Sequence, residues 1–239
     1  MALSTFWKGV IAVGSALGVG VLISILSGKK GLPAAPASLA SPVDEENCSR
    51  AFYPSPNRGW GGNPDYVRSM PPKWIVVHDT EGPGRVGADE GNATARANAS
   101  YFSNPAAKVA AHITVDDQGE CYRSVADDQI AWTANGANPD SLNIEMATPA
   151  GAAMSWSSED WLTHDKLLEV SAAYVAHWAG LYGIPTRFVD AEGLKAGERG
   201  ITTHAEVTRA GMGGDHIDPG PNFPMDDFLR RVNSYVSIA

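Results

Sequence analysis

Cysteine is scarce in this chain: 239 residues contain two, too few for a disulfide scaffold or a cysteine-rich zinc module. Positive charge is also in deficit, with 18 basic residues against 27 acidic ones and a net charge of −9. That balance argues against a nucleic-acid binder, which would carry a basic surface. The His-Glu-x-x-His helix of one large class of zinc peptidases is missing, and no internal repeat is visible. What remains is 44% hydrophobic residues, enough for a packed core, so wholesale disorder is excluded.

Charge is unevenly spread. Lys8, Lys29 and Lys30 are the only charged residues among the first forty, leaving 15 basic against 27 acidic residues, a net −12, over the remainder. Gly9 to Gly28 is a twenty-residue run without charge, the length of helix that crosses a bilayer core of about 30 Å. It holds Gly14-x-x-x-Gly18, a spacing that lets membrane helices approach closely. A Pro/Ala/Ser-rich tether follows. The expected organisation is a transmembrane or signal-anchor segment over 1–30, a linker over 31–47 and a folded domain over 48–239. Whether the segment is retained, released or cut at Ala35-Pro36-Ala37 or Ser38-Leu39-Ala40 stays open.

Within the domain, Cys48 to Pro72 reads as an extended arm. Lys73–His78 and Leu142–Ala147 read as short buried strands, and Ile201–His204 as a last strand ending on a histidine. Thr94–Phe102 reads as a helix. Ala111–Asp116 and Glu120–Val125 flank Asp117-Gln-Gly119 as a hairpin. The longest periodic segment, Glu159–Tyr182, predicts a helix capped by Gly183, and Pro224–Val236 predicts a closing helix. Alternating strands and helices give a single α/β domain around a mixed sheet.

Six histidines are present. His164 and His177 fall in the long helical segment and read as structural. His78, His112, His204 and His216 fall at strand ends or in loops, where scaffolds present functional groups. His78 and His204 with Asp218 make a two-imidazole, one-carboxylate set, which leaves a fourth position open as in catalytic zinc sites. The separation of His78 and Asp218 along the chain means that only the fold can bring them together.

These residues resemble a family. Ile75-Val-Val-His78, Ala111-His112 before a hairpin, Ala131-Trp132, Leu142-Asn-Ile-Glu145, Thr203-His204-Ala-Glu206 and Asp218-Pro-Gly-Pro221 occur in the order found in zinc-dependent N-acetylmuramoyl-L-alanine amidases. Those enzymes share a fold with peptidoglycan recognition proteins and amidase-type phage lysins, and the likeness covers about Lys73 to Val236. The resemblance implies a type 2 amidase-like α/β fold with one Zn2+ held by His78, His204 and Asp218. Glu145 matches the family glutamate that handles the proton of the attacking water. His216 stands where many members carry a lysine and is a candidate oxyanion stabiliser; His112 and Trp132 are candidate pocket residues for the substrate.

The implied reaction cuts the amide between the lactyl group of N-acetylmuramic acid and L-alanine in peptidoglycan. The alternative is a binding-only module of the same fold, from which the retained Asp218 and Glu145 point away. The implied location is membrane-anchored through residues 9–28 or secreted, with the domain facing the wall. Whether Cys48 and Cys121 form one bridge in an oxidising compartment, pinning the arm to the hairpin, stays open.

Overall fold

The computed structural model describes residues 52–82 and 94–236. Trp74-Ile-Val-Val-His-Asp79 forms β1, and every one of its residues is buried, as expected of a strand with parallel neighbours on both sides. β2 (Ile113–Val115) and β3 (Cys121–Arg123) form the expected hairpin. Their turn is held by Asp116, whose carboxylate accepts the N–H groups of Gln118 and Glu120, each at 3.0 Å. β4 (Ser141–Met146) and β5 (Gly200–Thr203) complete a five-stranded sheet of order β3-β2-β4-β1-β5. Only the β2–β3 pair is antiparallel, so the sheet is mixed.

Period-2 alternation on β4 divides the two faces of the sheet. Leu142, Ile144 and Met146 join the larger core with Ile75, Val77, Ile113 and Val115. That core is covered by α4 (Asp165–Tyr182), through Leu167, Leu168, Ala172, Val175 and Trp178, and by α7 (Met225–Val236), through Phe228 and Val232. Gly183 ends α4 in the left-handed conformation, φ +60°. Ser141, Asn143 and Glu145 project to the opposite face. There Trp74 and Val76 pack beneath Ala134, Ala137 and Val207, under a short 3-10 helix (Asn135–Asp140) and α6 (His204–Arg209).

The remaining described helices are α1 (Ala95–Phe102), α2 (Ala152–Ser155), α3 (Ser158–Thr163) and α5 (Ala191–Lys195). α1 has Thr94 as its N-cap, the side chain accepting from Ala97 N–H. The single helix expected over Glu159–Tyr182 is two helices, α3 and α4, broken at His164. The break has a local cause. The His164 ring stacks on Trp156 at 4.5 Å and meets Asp117 Oδ1 at 3.0 Å, which holds the residue at φ −92°, ψ 54°.

The arm from residue 52 crosses the sheet edge as expected, with Tyr53 N–H bonding Arg123 O at 2.9 Å and Gly59 N–H bonding Ile130 O at 2.8 Å. Cys121 is disulfide-bonded, and Cys48, the other cysteine, lies outside the described residues.

The membrane anchor requires correction. Among the described residues no helix is long and apolar enough to cross a membrane; the longest, α4, opens on Asp165-Lys166 and spends its apolar face on the core. The expected span over residues 9–28 lies outside the described residues. The membrane partner, the anchored location and the signal-anchor assignment are therefore withdrawn.

Candidate metal centre

Strand register assembles the site. On β1 and β4, His78 lies directly opposite Glu145, while on β1 and β5, Val77 lies opposite Thr203. His204, the next residue, opens α6, with Thr203 as its N-cap. Glu145, His78 and His204 thus form one row across three adjacent strands at their C-terminal ends, where open α/β sheets commonly bind ligands. The loop after α6 brings in Asp218, whose carbonyl accepts Ala205 N–H at 3.0 Å.

His78, His204 and Asp218 are all buried and offer ligand atoms within 4.8 Å of one another. His78 Nδ1 is 3.1 Å from His204 Nδ1 and 3.0 Å from Asp218 Oδ2, and His204 Nδ1 is 3.1 Å from Asp218 Oδ1. Tetrahedral zinc with bonds of about 2.0–2.1 Å separates its ligand atoms by about 3.3 Å, close to this spacing. The chemistry fits as well. Two facing imidazole nitrogens cannot both present lone pairs, or both protons, without a partner between them, and a cation satisfies both. Burial pushes His204 down to about 4, leaving it neutral at pH 7 as a metal ligand must be. Burial would raise Asp218, but the His204, His216 and His78 rings gathered around it hold it far below the usual carboxylate range.

The other nitrogens of the two rings meet asparagines. His78 Nε2 lies 3.1 Å from Asn143 Oδ1, and His204 Nε2 lies 3.2 Å from the Asn135 side-chain amide. Asn135 sits at φ +49°, a left-handed conformation that asparagine tolerates better than most residues.

Glu145 is 6% exposed, and its Oε2 has no hydrogen-bond partner among the described residues. Burial, reinforced by Asp218, pushes its carboxyl up to about 7, against the opposing pull of His78 and His216. His216 lies at the rim. Its side chain is half exposed, its ring stacks on His204 at 3.9 Å, and its Nδ1 is 3.6 Å from Asp218 Oδ1. Past His216 opens a groove of about 450 Å3, bordered by Met154, Phe188, Thr203, Arg209 and Ile217.

The two expected pocket residues fall elsewhere. His112, expected at the substrate, is instead fully buried, because its ring is enclosed between Asn143 and the Arg68 side chain. Trp132 is half-buried, and its indole N–H donates to Gly59 O at 2.9 Å, tying it to the arm.

Arg68, Asn143 and Asn135 had no place in the sequence-based site. For Asn143 a signal existed: Ser141, Asn143 and Glu145 are the polar members of an alternating strand, which puts Asn143 on the face of Glu145. Arg68 gave none, since its burial follows from the path of the arm. Its guanidinium donates to the carbonyls of Gln129, Ser141 and Pro139.

A profile of the N-acetylmuramoyl-L-alanine amidase family matches residues 68–221. Among solved structures, the Staphylococcus aureus hydrolase AmiA is 22% identical with a TM-score of 0.54, over 70% of this chain and 74% of that one. A selenomethionine derivative of AmpD is 19% identical with a TM-score of 0.49, over 78% and 93% of the respective chains. The AmiA likeness is one of fold. No curated protein sequence matches significantly.

Proposed function

Given that the chain belongs to the N-acetylmuramoyl-L-alanine amidase family, we propose a division of labour among its residues in cutting the bond between the lactyl group of N-acetylmuramic acid and the first L-alanine of the stem peptide. The protein is a zinc-dependent amidase, and His78, His204 and Asp218 are positioned to hold a single zinc ion. When bound, zinc supplies Lewis acidity, polarising the scissile carbonyl and lowering the pKa of water.

Glu145 holds and moves the proton. A buried carboxyl near 7 with an unpartnered Oε2 can take a proton at neutral pH and return it to the leaving amine. His216, stacked on His204 at the rim, donates an N–H to the oxyanion that develops at the carbonyl. The groove beyond His216 receives the substrate beside the reacting bond.

One observation carries this reading over the binding-only alternative. The metal ligands are complete, and a partnerless buried carboxyl stands beside them in the same strand row. A recognition module has no use for a desolvated acid there. The test is to incubate the protein with purified peptidoglycan, with and without a chelator, beside Asp218→Ala, and to identify new chain ends by mass spectrometry. Free L-alanine amino termini on intact glycan strands, lost on chelation and in the variant, are expected. Retention on peptidoglycan without new ends would overturn the catalytic reading.

A further inference from the structure

We propose that Asn143 is a positioning residue for the metal: its side-chain oxygen accepts the Nε2–H of His78 and so fixes the tautomer that leaves Nδ1 free to bind zinc. The proposal rests on the reading of His78 as a zinc ligand and extends it to a residue that touches neither metal nor substrate.

Asn143 Oδ1 lies 3.1 Å from His78 Nε2. Asn143 Nδ2 and Oδ1 lie 3.2 and 3.5 Å from Ser141 Oγ, the shorter contact favouring Nδ2 as the donor to Ser141 and Oδ1 as the acceptor for His78. His78 is 1% exposed and Asn143 is fully buried, so water does not stand in for either partner. A His78 ring protonated on Nδ1 instead would set the Nε2 lone pair against the amide oxygen, and would direct its proton into the metal position. Metal-bound histidines generally donate their second ring N–H to a fixed acceptor, and loss of that acceptor weakens metal binding.

Asn143 is itself fixed, and this gives His112 a role. The Asn143 carbonyl accepts His112 N–H at 3.1 Å, and the Asn143 backbone N–H donates to His112 Nδ1 at 3.0 Å. Nδ1 is therefore an acceptor and Nε2 carries the ring proton, directed at Gln129 O at 3.3 Å. Burial and the neighbouring Arg68 guanidinium favour the uncharged ring. The order of support is thus Arg68 and Gln129 around His112, His112 on Asn143, and Asn143 on His78.

The experiment measures zinc dissociation constants of the full chain by competition with a chromophoric chelator. Asn143→Leu keeps the approximate volume without an acceptor and should bind zinc about 10- to 100-fold more weakly. Asn143→Asp restores an acceptor oxygen and should stay within a few-fold of the parent. Equal affinity in the parent and Asn143→Leu would overturn the proposal. His78→Ala separates the two readings. If it leaves zinc affinity unchanged, the ligand assignment itself fails; if it abolishes binding while Asn143→Leu binds as tightly as the parent, only the positioning role fails. Should Asn143→Leu not fold, 15N NMR of the zinc-loaded parent decides. A His78 Nε2–H resonance shifted downfield as in a hydrogen bond supports the role of Asn143, and one at the position of an unbonded N–H refutes it.

Discussion

Glu145 gives the sharpest prediction because its burial acts on stability and chemistry in opposite directions. Its carboxyl is pushed from 4.5 to about 7, burial being the largest cause. The folded state therefore holds this proton more tightly than the unfolded chain does. Its contribution is fully favourable below the unfolded value and is lost as pH rises towards the folded one, so native stability falls across that window. Glu145→Gln removes the titration while keeping the shape. In zinc-free protein the variant should gain about 1 kcal/mol over the parent at pH 5 and about 3 kcal/mol at pH 8. For a domain of this size that corresponds to a Tm rise of roughly 3 °C at pH 5 and roughly 10 °C at pH 8. Thermal melts of chelator-treated parent and variant at the two pH values provide the assay. Added zinc should narrow the gap, since a nearby dication favours the carboxylate. An equal gain at both pH values, or a variant that melts lower at pH 8, would refute the claim that Glu145 is a desolvated acid.

Three further outcomes follow from other parts of the molecule. Asp218→Ala should abolish stoichiometric zinc binding, measured by metal analysis after dialysis, and with it all hydrolysis. Gly220→Ala should weaken zinc binding while leaving most of the fold, because a Cβ there would meet Ala153 O at 1.8 Å, at φ +93°, and shift the loop carrying Asp218; circular dichroism with a zinc titration reads both effects. Ile144→Ala, in the core beneath α4 and fully buried, should cost about 2–5 kcal/mol, seen in urea unfolding, with zinc affinity of the folded fraction preserved.

The sequence was most legible where side chains alternate or recur by a simple period. β1, β4 and both ends of the long helical segment follow from such patterns, and the metal ligands follow from a resemblance carried by short motifs in order. The break at His164 was not legible, because it depends on Trp156 and Asp117, and periodicity through Leu167 and Leu168 continues smoothly in sequence. His112 misled for a related reason. A histidine before a hairpin looks available for chemistry, and only the arm, which lays Arg68 over it, shows that the ring is enclosed. Asn143 was readable as a strand residue on the face of Glu145, yet its partner His78 is 65 residues away, and no local pattern joins them. The membrane span was read from the length of one uncharged run, Gly9 to Gly28, and no helix among the described residues supports it.

The row of Glu145, His78 and His204 across β4, β1 and β5 also has a kinetic consequence. β1 lies between two parallel strands that arrive much later in the chain, so no fragment that folds locally holds His78 together with His204 and Asp218. Zinc finds its full set of ligands only after the long-range pairing of β1 with β5 has closed, a slow step in folding. The ion then cannot act as a nucleus; it acts as a latch on the finished sheet. Its stabilisation enters as a slower rate of opening, with the rate of folding left almost unchanged.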